Sequence, residues 1–519
     1  MTSTTNSSNT PSRIAVASNS NFHFIKHLET RRYGLKEYKI GYEDLVAFKL
    51  YSNFYECSTK NTECDPNYGG IFNLEFSLDG KLLVAVCEGK QVLLFDAATQ
   101  KVVHTVENAH QHCVNCVKFL NNIHFATCSD DTSIKLWDIR NVKYSMRTLH
   151  GHSNWVKNIE WSEKENVMVT SAFDGSVYAW NLKSHTENNM LYDKVFLMNG
   201  LMRMKLTGDG TKMVISTTNG YMIIIHDLNL KTLATDLRSF RPNLYRLMQI
   251  SDQCFPVGTI YNYLFSTTRK RNRIEFIDDF PNDAAVISSL QIHPHGWCAV
   301  SRNLTEEENE EWTCVHDIQT RDPKDYENAF SQIEEEIPEE VDSEELNNHR
   351  PTDLWMGYLS LDEYSNRHRE LSNSAHDVWE NLPSMGILNS GLIGLNTSFS
   401  VYFSQHPEHR NKIIRNLPRM THFIKEDIVG KGYIKEPCFS NDGRIICSPS
   451  NKGIRLLAFN EKCQELSMCV PDNPRQLKSI VELENYHKDV VVSCKFSPNH
   501  YQLVSGCLGS EIKWYRPII

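Results

Sequence analysis

Three of the side chains His152, Ser171, Asp174 and Trp180, which fall within residues 151–182, are of the types from which a hydrolase builds a nucleophile. A serine becomes nucleophilic when a histidine takes its proton and a carboxylate holds that histidine, in a cleft that also offers oxyanion donors. Upstream, Cys113 and Cys116 make a Cys-x-x-Cys pair, half of what a structural zinc site requires. A third motif is Trp137-Asp138-Ile139-Arg140. There Asp138 can hold the Arg140 guanidinium by charge-assisted hydrogen bonds and aim it outward. The chain has no Gly-rich phosphate loop ending in Lys-Ser/Thr, no His-Glu-x-x-His and no dinucleotide fingerprint.

The elements that carry these residues repeat. GHSNWVKNIEWSEKENVMVTSAFDGSVYAWNL (151–182) contains a Gly-His pair, three short alternating runs, an Asp-Gly turn and a Trp-Asn ending, and AHQHCVNCVKFLNNIHFATCSDDTSIKLWDIR (109–140) has the same order of parts. Trp137 and Trp180 lie 43 positions apart, within the spacing of WD40 repeats. More degenerate copies span 71–96, 202–227, 288–317, 433–459 and 490–517. Period-two strands separated by Asp-Gly, Asn-Asp-Gly and Ser-Pro turns make four-stranded blades, and a lone blade cannot bury both faces. The expected fold is therefore all-β, a seven-bladed WD40 β-propeller over 45–519. The last copy lacks an outer strand, and LVAFKLYSN (45–53) is predicted to supply it.

That context changes the first motif. His152, Ser171, Asp174 and Trp180 fall where such blades build a buried hydrogen-bond chain, so they read as a structural tetrad, with no catalytic residue among them. Cys113 and Cys116 fall on the first strand of a blade and read as core thiols. So do Cys128, Cys298, Cys438 and Cys494, which lie in apolar runs. No cofactor or metal is expected.

The net charge of −10 argues against general electrostatic attraction to nucleic acid. No run approaches the roughly 18 apolar residues of a membrane span, and fifteen cysteines without a secretory signal point to an intracellular, reducing setting, nucleus or cytoplasm. Residues 1–20 read as a disordered polar tail. Residues 21–40 read as a short helix with Phe24, Ile25 and Leu28 on one face and Arg31 and Arg32 beyond. Insertions are expected at about 229–285, including the basic run TTRKRNRIEF (267–276) as a solvated loop, and at 318–418, which opens with the acidic SQIEEEIPEEVDSEELNN. The alternating RMTHFIKED (419–427) would then be the outer strand of blade five.

Asp131, Trp137, Asp138 and Arg140 together resemble the Trp-Asp-x-Arg box of substrate receptors of cullin-4 RING ubiquitin ligases. GGIFNLEFSLDG, FATCSDDTSIKLWDIR, HGHSNWVKNIE, LMRMKLT, EEWTCV, GKGYIKEPCFS and KFSPNHYQLVSGCL, in that order, are similar to the adaptor- and cullin-4-associated factors over about 69–229, 287–317 and 417–517. The resemblance implies a non-enzymatic receptor that docks on the damage-specific DNA-binding protein adaptor and, through it, on cullin-4 and a RING subunit. It would present an unknown protein substrate, and bind neither nucleic acid nor membrane. Asp131, Trp137, Asp138 and Arg140 would carry the adaptor contact, with Arg31 and Arg32 of a helix ahead of the propeller. In the next blade Asp174, Trp180 and Lys183 occupy equivalent places, but Asn181 replaces the acid, and lysine lacks the planar fork of arginine. The alternative left open is a WD40 scaffold of another intracellular complex with no ubiquitin role.

Overall fold

The computed structural model describes residues 42–58, 65–182, 192–237, 240–243, 245–246, 273–305, 310–320, 417–430, 432–468, 471 and 473–518. The 21–40 segment with Arg31 and Arg32, Lys183, and almost all of the 318–418 insertion lie outside them.

Seven sheets form the blades, antiparallel except that Arg475–Gln476 runs parallel to Met420–Glu426 at the edge of blade five. Blade one comprises Ile71–Phe76, Leu82–Cys87, Val92–Asp96 and Lys101–Val106; blade two comprises Val114–Phe119, His124–Ser129, Ile134–Asp138 and Arg147–Leu149. Blade three comprises Val156–Ser162, Val167–Ala172, Ser176–Asn181 and Tyr192–Leu197. Blade four runs from Leu201–Leu206 to Ile274–Ile277, blade five from Val286–Ile292 to Met420–Glu426, and blade six from Cys438–Phe439 to Lys478–Leu483. Blade seven has Val491–Phe496, Leu503–Cys507 and Ile512–Pro517.

Alternation along each strand sends side chains to both faces, and each face is buried against a neighbouring blade. Seven apolar clusters result, one per junction. Leu74, Phe95 and Trp514 close blade one on blade seven, Val84, Val117 and Trp137 join one to two, and Ile134, Ile159 and Trp180 join two to three. In six blades the described innermost strand slips register after its first or second residue, as between Val114 and Cys116 and between Ile287 and Ser289. Such a bulge bends and twists the strand where it meets the axis. Gly175 makes the tight turn of blade three at φ +75°, and a Cβ there would sit 2.0 Å from the Met198 carbonyl oxygen.

Ring closure corrects one expectation. Residues 45–53 are not the outer strand of blade seven; Tyr42–Tyr51 is an α-helix, and the closing strand is Phe54–Glu56, paired with Ile512–Pro517 through Phe54↔Pro517 and Glu56↔Tyr515. The apolar residues there follow a helical period. Ala47, Leu50 and Tyr51 are buried, while Glu43 and Asp44 in the first turn and Lys49 in the last complement the helix dipole. Tyr51 donates to Asp442 Oδ1 at 2.8 Å, and Asp44 accepts from Arg444 at 2.5 Å, so the helix is tied to blade six before the strand completes blade seven.

Two further strands bound the insertions. Met420–Glu426 pairs with Glu311–Asp317 as the outer strand of blade five, as its alternation suggests. Ile274–Ile277, by contrast, is a buried strand paired with Met222–Ile225. The end of the presumed basic loop thus belongs to blade four, because Ile274, Phe276 and Ile277 face the core. Arg419 secures both stems of the larger insertion. Its guanidinium donates to the carbonyls of Asp317 and Gln319 at 3.0 Å each and pairs with the buried Glu275 carboxylate. Among the described residues no helix is long and apolar enough to cross a membrane.

Candidate functional site

In blade three the indole Nε1 of Trp180 donates to Thr170 Oγ1 at 2.7 Å, and Thr170 lies 2.8 Å from His152 Nε2. His152 Nδ1 is 2.9 Å from Ser176 Oγ, which is 2.5 Å from Asp174 Oδ1. An indole only donates and a carboxylate only accepts, so the protons run one way, from Trp180 through Thr170, His152 and Ser176 to Asp174. The hydroxyl that meets the indole is that of Thr170, and among the described residues Ser171 Oγ has no hydrogen-bond partner. Assigning Ser171 to the tetrad is corrected on that ground. Neighbours on a strand point to opposite faces, and only the Thr170 side reaches the indole. Both nitrogens of His152 are taken by Ser176 and Thr170, so it is not paired as a base with Ser171.

Blade two contains a second chain that the sequence reading missed. Trp137 Nε1 donates to Thr127 Oγ1 at 2.9 Å, Thr127 lies 2.8 Å from His110 Nε2, and His110 Nδ1 is 2.9 Å from Asp131 Oδ2. The signal was present, because each threonine stands ten residues before its tryptophan. Burial lowers the His152 pKa to about 4, so the neutral ring that the relay requires is the stable form. Burial alone would raise the Asp174 carboxyl, but hydrogen bonds from Ser153 and Ser176 outweigh it and bring it down to about 2.

The four box residues separate. Trp137 is 3% exposed and packs in the junction of blades one and two. Asp131 lies in the turn before Ile134–Asp138, bound by His110, Ser133 and the Gln111 amide, a strand's length from Arg140. Both serve the blade, Trp137 in its core and Asp131 in its hydrogen-bond chain. Asp138 and Arg140 lie together at the other end. Arg140 Nη2 is 2.6 Å from Asp138 Oδ2, its Nε is 3.0 Å from Oδ1, and its backbone amide donates to the same carboxylate at 2.9 Å. The Arg140 side chain stays 68% exposed, and its Nη1 makes no hydrogen bond among the described residues. The hydrogen bonds from Arg140 bring the Asp138 carboxyl to about 2, so the pair is ionised throughout the neutral range.

Around Arg140 the same end of blade two carries apolar surface. Ile123 in the turn between the first two strands, and Tyr144 and Met146 in the turn that follows Arg140, are exposed. Which apolar residues stay exposed depends on tertiary packing, and nothing local in the sequence marked these three. Of the second box, Trp180 is buried, Asp174 caps the turn at the opposite end, and Lys183 lies outside the described residues. At that opposite end Trp155 and Phe173 are about half exposed with ring centroids 6.0 Å apart, and Lys157 Nζ sits 4.9 Å from the Trp155 ring.

Fold and blade chemistry define a seven-bladed WD40 propeller, and the family described as WD domain, G-beta repeat matches residues 100–138, 143–181 and 478–516. A DDB1- and CUL4-associated factor 10 of Danio rerio is 34% identical over 484 residues, covering 90% of this chain and 78% of its own. Those of Xenopus laevis, 34% identical over 90% of this chain and 89% of its own, and of Homo sapiens, 35% identical over 87% and 70%, agree. The chain belongs to the DDB1- and CUL4-associated factor 10 family. Among solved structures, the β-propeller domain of Myceliophteria_thermophila Cps50 (Swd1) is similar, with a TM-score of 0.49 and 10% identity over 89% of this chain and 99% of that one.

Proposed function

We propose that this chain is the substrate-recognition subunit of a cullin-4 RING E3 ubiquitin ligase, itself non-catalytic and intracellular, and that it docks on the DDB1 adaptor through the Arg140 end of blade two. The observation that carries the reading is the exposed Arg140, held side-on by Asp138 within a patch of Ile123, Tyr144 and Met146. Arginine, tyrosine and methionine are enriched in the cores of protein interfaces, and an arginine whose orientation is already fixed loses less entropy on binding. Membership of a family named for DDB1 and cullin-4 supports the same partner. Arg31 and Arg32 of the 21–40 segment, and Lys183 of the second box, are proposed to add to the docking.

The substrate, a protein, is then received at the opposite end of the blades, where Trp155 and Phe173 present aromatic surface beside Lys157. The two ends are separate, so adaptor and substrate can be held at once. Ubiquitin transfer belongs to the assembled ligase. Affinity purification of the full chain from cells tests the reading: recovery of DDB1 and cullin-4 is expected, and their absence from the wild-type eluate, with other partners in their place, would favour a scaffold of another complex.

A further inference from the structure

Cys438 and Cys447 face each other across the first two strands of blade six, and Cys494 stands on the innermost strand of blade seven. Their three sulfurs lie within 4.8 Å of one another, with Cys438 Sγ 3.5 Å from Cys494 Sγ, and all three residues are buried. Sulfurs that share one d10 ion at about 2.3 Å stand about 4 Å apart, and the three here lie within a range that such an ion can span. Among the described residues no fourth histidine, cysteine or carboxylate joins the group. Core packing alone does not require three thiols from two blades to converge.

We propose that Cys438, Cys447 and Cys494 form a three-sulfur site for monovalent copper, reached from the central channel of the propeller. An all-sulfur donor set selects soft ions, and zinc in structural sites takes four ligands, so three sulfurs favour Cu(I). Cys494 lines the cavity on the channel, next to Glu436 and Lys495, and supplies the entry path. The charge there suits an anionic cluster: Lys118, Lys205, Lys495 and Arg203 outnumber their partners Glu75, Glu160 and Glu436.

Binding of Cu⁺ by the three thiols forms three copper–sulfur bonds and releases three protons to solvent, so the bound site carries two negative charges and no oxidant or reductant takes part.

The test is titration of the full-length, reduced protein, without oxygen, against the coloured Cu(I)–bicinchoninate complex. One equivalent of Cu(I) should transfer per chain to the wild type and to Cys87→Ser, whose thiol is buried in another junction. Cys438→Ser and Cys494→Ser should compete at least about tenfold less well. Equal transfer to all four proteins, or none to the wild type, would overturn the site. X-ray absorption on the loaded wild type needs no variant to fold. Three sulfurs at about 2.2–2.3 Å are expected, and fewer sulfurs, or nitrogen in the shell, would overturn it. Each readout is independent of ligase assembly.

Discussion

The guanidinium of Arg140 lies against the Asp138 carboxylate with Nη2 at 2.6 Å and Nε at 3.0 Å, while most of the arginine remains in water. Two of its nitrogens are thereby fixed and the third faces outward. An isolated ion pair so exposed adds little to stability. Arg140 can therefore be changed without harm to the fold, so the proposed docking can be tested apart from folding.

The first prediction concerns that separation. Arg140→Glu should melt within a degree or so of the wild type, because surface changes away from the core fall within about 0.5 kcal/mol. A thermal unfolding scan checks it.

The tetrads give the second. Thr170→Val removes the hydroxyl that joins Trp180 to His152 and should cost about 1–3 kcal/mol, since both buried partners lose a hydrogen bond. Thr127→Val should act alike in blade two. Ser171→Ala, adjacent in sequence, should be neutral or slightly stabilising, because its buried hydroxyl is unpartnered. Thermal melts of the three variants decide it, and a costly Ser171→Ala would restore the serine to the tetrad.

That contrast shows what the sequence revealed. The repeat of tryptophans, turns and alternating runs is local, and it led to seven blades and to the buried character of His152 and Trp180. Which of two adjacent hydroxyls meets the indole is a question of strand face, and the ten-residue spacing from threonine to tryptophan was the usable signal. Residues 45–53 misled because a short apolar run suits either period, and only the docking of Ala47 and Tyr51 on blades six and seven decides for the helix. Arg140 was legible from its motif. Its neighbours Ile123, Tyr144 and Met146, and the convergence of the three thiols, arise between elements distant in sequence.

Acid should loosen the propeller. His152 in the fold titrates at about 4 and His487 at about 3, both lowered first by burial, against about 6.5 unfolded. The unfolded chain thus binds protons that the folded chain refuses, so stability is full above about pH 6.5 and declines as pH falls toward 4. Asp174, at about 2 against 3.8 for a free carboxyl, extends the loss below that window. Melting temperatures measured from pH 7.5 down to 4 should fall steadily, with a smaller slope in His152→Gln.

Arg419→Met should be among the most damaging single changes. It leaves the Glu275 carboxylate buried without its guanidinium and frees both stems of the larger insertion. The expected cost is about 3–5 kcal/mol, and Glu275→Leu added to it should recover part of the loss. Thermal stability of the single and double variants checks the coupling.

Trp155→Ala and Phe173→Ala should leave adaptor recovery intact while reducing capture of substrate proteins, because the pair lies at the end of the blades away from Arg140. Quantitative mass spectrometry of purified complexes gives both readouts at once. Loss of the adaptor from either variant would place the two functions on one surface.

The most direct measurement is the equilibrium affinity of the purified full-length chain for purified DDB1, wild type against Arg140→Glu, by biolayer interferometry. Reversing the sign of Arg140, central to the proposed interface, should weaken binding at least about tenfold, or about 1.4 kcal/mol, with the fold unchanged. Equal affinities for the two proteins, or no binding by the wild type, would contradict the account.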